Sequence, residues 1–201
     1  MKMTTLDRLL LLLTVFLAAY QIVVGIDNLS TEPIIAYTIA FGVLLLAGLL
    51  LIILGFEVLD SPVVVIVSTI IPLALSLGLI WEHLASYRTL YLIFTIIGFA
   101  AVTLTRAVPM QNKLPTITVA IVHGISGVTI FLLPILLSVQ GIMKPAFALV
   151  GIGGALIGLG GLILSFFRTG HPVFSKETIL RVFSSLLLLA TIFFVAGFKL
   201  G

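Results

Sequence analysis

The residue whose type and position best suit chemistry is His123, which lies about eight residues into a long apolar segment. On a helix this depth corresponds to about 12 Å from the start of the segment. No other ionisable residue of the sequence lies so deep in an apolar segment, and such residues are functional candidates by default. An imidazole there can relay protons, hold a ligand or form a hydrogen bond with a neighbouring helix. The neutral, hydrogen-bonded histidine is the simplest of these interpretations.

The same histidine, His123, could bind a cofactor. Its imidazole can serve as an axial ligand of a haem or of a chlorin. A haem held by two histidines needs a second one at matching depth, whereas His83 lies near the edge of an apolar segment and His171 in a loop. The acidic residues between the apolar segments lack metal-ligand spacings such as His-x-x-x-His or Glu-x-x-His. We therefore expect neither a cofactor nor a metal ion.

Further polar residues interrupt the apolar segments and could join His123 in one polar site. Ser126 lies beside His123 on a helix, Ser68 and Ser76 share a face of another segment, and Gln21 lies in the first. Such residues can line a narrow path for a solute. They can equally form hydrogen bonds between helices, which contribute about 0.6 kcal/mol each.

The composition indicates that these segments lie in a lipid bilayer. Hydrophobic residues make up 61% of the 201 residues and charged residues only 8%, with a mean hydropathy of +1.39. A soluble domain of this size needs far more polar surface. The net charge of +3 is too dispersed for nucleic-acid binding, and the absence of cysteine excludes disulfides and thiolate chemistry. The expected localisation is a multi-pass integral membrane protein.

Seven segments are long and apolar enough to cross a bilayer as helices, which predicts an all-α transmembrane bundle formed by residues 1–201 as a single domain. Pro33, Pro62, Pro115 and Pro145 each fall where a new helix would begin. The loops are short, so any function must lie within the bilayer or at its edge. The predicted spans are 8–26, 34–56, 62–81, 88–106, 115–139, 145–167 and 178–198.

The distribution of positive charge predicts that the N-terminus is cytoplasmic and the C-terminus external. With this orientation seven Lys and Arg residues lie on the cytoplasmic side and three on the external side, as the positive-inside rule requires.

Glycines on the sixth predicted span indicate close helix packing. They are spaced by three, four and three residues, so they share one helix face, and small residues let two backbones approach closely. The four are Gly151, Gly154, Gly158 and Gly161.

A candidate internal repeat relates residues 8–81 to residues 115–198. An offset of 112 positions gives six identities within 18 residues, from Pro33 matched with Pro145 to Leu50 matched with Leu162. The first three helices would then repeat as the last three, in parallel, with the fourth as a linker. Parallel repeats of this kind occur in some carriers.

Two functions of different classes fit these features. The favoured one is a non-catalytic membrane subunit or interaction protein, which packs within a membrane complex or binds lipid-like molecules. Its expected partners are the bilayer and other membrane chains or a second copy. The alternative is a small facilitator or channel for a neutral or hydrophobic solute, which predicts that Gln21, Ser68, Ser76, His123 and Ser126 converge on one hydrated cavity.

Overall fold

The computed structural model describes residues 3–27, 29–108, 112–168 and 176–201, with side chains apart from those of residues 60, 160–168, 176–179 and 181. These residues form seven α-helices and no strand, so the all-helical prediction is confirmed for the described part of the chain. The helices are α1 (Thr5–Val24), α2 (Thr31–Leu54), α3 (Pro62–His83), α4 (Arg88–Ala107), α5 (Leu114–Val139), α6 (Ala148–Arg168) and α7 (Lys176–Leu200).

Short 3-10 helices precede three of these helices: Phe56–Asp60 before α3, Ala85–Tyr87 before α4 and Pro145–Phe147 before α6. Among the described residues, six helices are long and apolar enough to cross a membrane, namely α1 to α5 and α7. The described apolar stretch that leads into α6, Pro145–Leu159, is shorter than a span. The structure therefore supports a helical bundle with six membrane-crossing candidates.

Six of the helices form a closed ring. Within the described residues, α1 contacts α2, α2 contacts α3, α3 contacts α5, α5 contacts α6, α6 contacts α7, and α7 returns to α1. Helix α4 lies outside this ring and packs against α3 and α5. The neighbour order within α1, α2 and α3 is therefore the same as the order within α5, α6 and α7.

Contacts between side chains fix the relative directions of the helices. Lys199 of α7 donates a hydrogen bond to the hydroxyl of Tyr20, late in α1, so these two helices run parallel. Tyr91, early in α4, donates to Thr129, past the middle of α5, at 3.3 Å, and Gly98, further along α4, lies against Val122, earlier in α5, so this pair runs antiparallel. We call the end formed by the starts of α1, α3, α5 and α7 the near end, and the opposite end the far end.

Local sequence signals explain where α1 and α2 begin and end. The Thr4 hydroxyl accepts a hydrogen bond from the backbone N–H of Asp7, and a carboxylate oxygen of Asp7 accepts from the backbone N–H of Thr4 at 3.0 Å. This capping box satisfies backbone donors that the first turn would leave free. Gly25 and Gly55, with φ of 69° and 78°, end α1 and α2 in a backbone conformation that favours glycine.

The interior of the ring is occupied mainly by aromatic and aliphatic side chains from the far-end halves of the helices. This main cluster joins the six helices of the ring and the 3-10 turn before α6, and includes Tyr37, Phe41, Leu79, Phe147, Phe194 and Phe198. A smaller cluster of Leu11, Leu51, Phe56 and Leu180 lies towards the near end. Large aliphatic side chains also cover the outside of the bundle, as expected for helices surrounded by lipid.

Candidate functional site

The far-end half of the ring is filled by a set of packed aromatic rings, which we call the aromatic cluster: Tyr37, Phe41, Phe147, Phe194 and Phe198. The centroid of the Phe198 ring lies 4.7 Å from that of Tyr37, 6.3 Å from that of Phe41 and 6.2 Å from that of Phe147. These separations are those of tilted and edge-to-face aromatic pairs. The cluster therefore closes the ring interior at this level.

Glycines on the neighbouring helices make room for the aromatic cluster. A Cβ placed on Gly78 of α3 would stand 2.5 Å from the Tyr37 ring, and one on Gly153 of α6 would stand 3.0 Å from the Phe194 ring. The rings thus lie directly on helix backbone. The sequence reasoning singled out neither glycine, because it searched for regular glycine spacing rather than for glycines opposite aromatic residues.

Gln21 lies at the far end of α1, beside a small crevice of about 10 Å³, which is space for about one water molecule. Its side-chain amide donates to the carbonyl oxygen of Gly25 at 2.9 Å. The other residues that line the crevice are Ile22, Gly25, Ile26, Ile34, Tyr37, Thr38 and Phe41. None of the serines or the histidine predicted to share a cavity with Gln21 lines this crevice.

Ser68 and Ser76 lie two turns apart on α3 and bond to their own helix. The Ser68 hydroxyl donates to the carbonyl oxygen of Val65 at 3.1 Å, and that of Ser76 to the carbonyl oxygen of Pro72 at 2.6 Å. Pro72 lies inside α3 and cannot supply the backbone donor that the turn before it would use. The serine bonds are thus local to the helix, as is common for hydroxyls on apolar helices.

His123 and Ser126 are the two predicted site residues that the structure places together, within one turn of α5. His123 is half-buried, and its Nδ1 lies 3.1 Å from the carbonyl oxygen of Val119 on the preceding turn. The Arg106 side chain of α4 lies close enough to interact electrostatically with the imidazole. Ser126 is fully buried, and its Oγ has no hydrogen-bond partner among the described residues.

Two of the further buried hydroxyls, on α7 and α1, lie outside the predicted site, and the sequence reasoning missed the first of them, Ser184. Ser184 of α7 resembles Ser126, because it is fully buried and no side chain or backbone group that the structure describes bonds to its Oγ. Thr14 of α1 is also fully buried and donates to the carbonyl oxygen of Leu10 at 3.0 Å. Thr14 and Ser126 are separated by 112 positions, which is the offset of the candidate repeat. That offset, applied to polar residues as well as to glycine and leucine, could have identified the pair.

The buried carboxylate of Asp7 was also missed, because the sequence analysis began the first helix after it. It is only 2% exposed, and its Oδ2 accepts from both the backbone N–H and the hydroxyl of Thr4. A Thr-x-x-Asp pattern before an apolar run is a capping signal that could have placed the helix start earlier.

The four glycines predicted to pack α6 differ in their surroundings. A Cβ on Gly151 would stand 2.5 Å from the Phe131 carbonyl oxygen of α5, and one on Gly154 would stand 2.7 Å from Ile130. Gly158 is exposed, and no described atom lies within 4 Å of a Cβ built there. The surroundings of Gly161 lie outside the described residues.

Aromatic and basic residues meet at the far end on the outside of the bundle. Arg88 lies over the Trp81 ring, 5.8 Å from its centroid, and its Nε donates to the Trp81 carbonyl oxygen at 2.6 Å. Lys199 lies 5.1 Å from the centroid of the Tyr20 ring. Such pairs are typical of the edge of a bilayer, where an apolar ring and a charged group can both be accommodated.

In the part of the chain that the structure describes, no three His, Asp or Glu side chains lie close enough together to hold a metal ion. Of the histidines considered for a haem, His83 packs edge-on against Phe147 with centroids 5.3 Å apart at the far end of the bundle. His171 lies outside the described residues.

Three comparisons with known proteins complete the description of the site. Neither the family models, nor the curated proteins, nor the solved structures contain a match to this chain. The functional argument consequently rests on the geometry alone.

Proposed function

We propose that the chain is a non-catalytic integral membrane subunit that packs against other membrane chains. The observation that carries this proposal is the aromatic cluster, which fills the ring interior where a solute path would run. The hydroxyls of Ser68, Ser76 and Thr14 support it further, because they bond to the backbone of their own helices. Because the far-end half of the interior is filled, the proposal places the function on the outer surface of the bundle.

Helix α4 is the strongest candidate for the contacting surface. It is not needed to close the ring, and several of its aliphatic side chains point outward, including Ile96 and Ile97, each more than 60% exposed. An apolar surface of this extent can be covered by lipid or by another apolar helix at similar free energy. The proposal assigns it to another membrane chain or to a second copy.

The proposal includes the finer topology. The chain crosses the bilayer seven times, with α6 as the additional span, and the near end faces the cytoplasm because the Lys and Arg count favours it. The matching neighbour order of the two helix triplets supports a parallel repeat linked by α4. The chain contains no cysteine, so single cysteines introduced at Lys113 and Lys144 can be tested for labelling from either side.

Photo-cross-linking in native membranes tests the proposed packing. A photo-reactive residue in place of Ile97 is expected to give one recurring adduct of defined mass with a membrane chain, because this side chain is 62% exposed. The same residue in place of Val102, which is fully buried on α4, is the matched control and should react only within the chain. Adducts with lipid alone at Ile97, and at other exposed positions around the bundle, would refute the subunit proposal.

A second candidate function is a facilitator for a small neutral or hydrophobic solute. Two observations favour it: the repeated neighbour order of the helices, and the buried hydroxyls of Ser126 and Ser184, which have no partner in the part of the chain that the structure describes. Unsatisfied buried hydroxyls are uncommon, and they can bind a passing polar group. On this hypothesis the aromatic cluster is a closed gate at the far end.

The His123→Ala variant separates the two candidates. If the chain is a facilitator that uses the polar site, solute flux into proteoliposomes should fall to background, because His123 adjoins Ser126 on α5. Thr118→Ala on the same helix is the control, since that hydroxyl donates only to the carbonyl oxygen of Leu114. Full flux through the His123 variant would remove this residue from any transport mechanism.

A further inference from the structure

The crevice beside Gln21 opens on the outside of the bundle, between the far-end halves of α1 and α2. Ile34 and Thr38 on its rim are exposed, whereas Gln21 is only 5% exposed. Tyr37 and Phe41 of the aromatic cluster, both buried, close it on the inside. Its volume of about 10 Å³ is enough for one group of the size of a water molecule. The crevice therefore joins the lipid-facing surface to a buried amide.

Gln21 brings unused hydrogen-bonding capacity to the crevice. Its amide nitrogen donates to the carbonyl oxygen of Gly25 at 2.9 Å, whereas its amide oxygen accepts no hydrogen bond from the residues that the structure describes. An acceptor on so buried a side chain is costly to leave without a partner. Because Gln21 lines the crevice, a donor held there can supply that partner.

Thr38 brings a second unused group to the same crevice. The other threonines beyond the first turn of a described helix each donate to the carbonyl oxygen four residues before them, which is the usual bond of a hydroxyl on an apolar helix. They are Thr14, Thr69, Thr95, Thr103, Thr105, Thr118, Thr129 and Thr191. Thr38 also lies beyond the first turn of α2, but its hydroxyl bonds to no described residue. That hydroxyl is therefore available to a group in the crevice.

The crevice lies at the level where the hydrocarbon of a bilayer meets its polar layer. Gln21 is three residues before the end of α1 and Thr38 seven residues after the start of α2, which places them about 5 Å and about 10 Å from the helix ends. Helix α2 has 24 residues, or about 36 Å, and so exceeds the hydrocarbon core of about 30 Å. Its ends reach the polar layer, and the crevice lies just inside the boundary.

The charges around the crevice disfavour an anionic headgroup. None of the residues that line it is charged, and the exposed carboxylates of Asp27 and Glu32 lie on the turn and first residues that lead from α1 into α2. In the sequence, residues 9–87 contain five Asp and Glu residues and no Lys or Arg. Lys199 bonds to Tyr20 on the side of α1 that faces α7. A phosphate group, with four oxygens, is also too large for the crevice. The complementary ligand is neutral, with a polar head no larger than a hydroxyl.

We propose that the crevice binds a neutral lipid alcohol, that is, a bilayer lipid whose polar head is a single hydroxyl group. The hydroxyl enters the crevice, donates to the amide oxygen of Gln21 and accepts from the hydroxyl of Thr38. The apolar body of the lipid lies outside, against the isoleucines that line the crevice: Ile22, Ile26 and Ile34. Sterols and diacylglycerols share this head. The site does not depend on the proposed packing of α4, because that helix contacts neither α1 nor α2 among the described residues.

Native mass spectrometry of the chain in lipid nanodiscs tests this site. The nanodiscs contain phosphatidylcholine with a minor fraction of cholesterol or of dioleoylglycerol, and parallel samples contain the methyl ether of the same lipid. Wild-type protein is expected to retain one molecule of at least one of the two alcohols and neither of the ethers. A methyl ether cannot donate a hydrogen bond, and its head exceeds the crevice. The sample that shows retention distinguishes a sterol from a diacylglycerol.

Thr38→Val removes the hydroxyl with little change in the shape of the side chain. It should weaken retention about fivefold, as expected for the loss of one hydrogen bond. The matched control is Thr103→Val on α4, whose hydroxyl donates to the Phe99 carbonyl oxygen, and it should retain the lipid like wild type. Gln21→Leu should weaken retention at least as much as Thr38→Val. If Gln21→Leu does not fold, Thr38→Val decides the question, because Thr38 is exposed.

Equal retention of an alcohol and its methyl ether would overturn the proposal. Retention of neither alcohol would also overturn it and would assign the crevice to water. The same conclusion would follow if Thr38→Val and Gln21→Leu both folded and left retention unchanged. Retention of phosphatidylcholine that Thr38→Val weakens would assign the crevice to a phospholipid and equally refute the alcohol site.

Discussion

Gly151→Ala is expected to lower the free energy of unfolding by about 2 kcal/mol, within the range of about 1–3 kcal/mol found for overpacked sites. The added methyl group would stand 2.5 Å from the Phe131 carbonyl oxygen and 2.7 Å from the Ile135 side chain. The first of these is backbone and cannot move without displacing α5. Thermal unfolding in lipid nanodiscs, followed by circular dichroism, measures the change.

Gly158→Ala is the matched control, on the same face of the same helix and two turns further along. No described atom would meet its methyl group, and alanine is about 1 kcal/mol more favourable than glycine in a helix interior. We therefore expect unchanged or slightly raised stability. Equal melting temperatures for wild type and Gly151→Ala would show that α5 and α6 do not pack as closely in lipid as described above.

Phe194→Ala is expected to have the largest effect on stability of a single truncation in the aromatic cluster. The side chain is 1% exposed and lies against the Gly153 backbone. Removing a buried phenylalanine typically costs about 3–5 kcal/mol, through lost contacts and the cavity left behind. Denaturant or thermal unfolding in a fixed detergent and lipid mixture gives the value.

Phe16→Ala on α1 provides the comparison, since that side chain is 61% exposed on the outside of the bundle. Lipid replaces the lost contacts there, so little change in stability is expected.

The same two variants also test whether the aromatic cluster acts as a gate. If Phe194→Ala opened a solute path in proteoliposomes while Phe16→Ala did not, the aromatic cluster would be a gate and the facilitator would be favoured. Unchanged stability of Phe194→Ala would remove the principal support for a filled interior.

The number of helices and their apolar character could be predicted because each segment is long and bounded by charges, glycine or proline. The starts were less well predicted: α1 begins at Thr5 rather than residue 8, and α2 at Thr31 rather than 34. In both cases the first turn carries polar residues, which a hydropathy pattern assigns to the preceding loop. At the start of α1, Thr4 and Asp7 form the capping box instead.

Which helix faces meet could not be predicted from hydropathy. In lipid the buried and exposed faces are both apolar, so no amphipathic pattern marks the contact. Gly48 illustrates the point: a Cβ on it would stand 2.6 Å from Val15, yet its sequence neighbourhood is uniformly aliphatic. Because buried and exposed faces look alike in the sequence, the sequence also could not show that Gln21 lies in a crevice apart from His123.

The parallel contact between α1 and α7 has a consequence for the order in which the molecule assembles. Tyr20 and Lys199 meet across 179 positions of sequence, and Leu11 and Leu180 pack in the same near-end cluster. During synthesis the first helix enters the bilayer long before its partner exists. The face of α1 that contacts α7 is therefore covered by lipid, or by a temporary neighbour, until α7 is inserted. Ring closure thus has to wait for the insertion of α7, and a chain truncated before α7 is expected to lose more stability than the removal of one peripheral helix would cause.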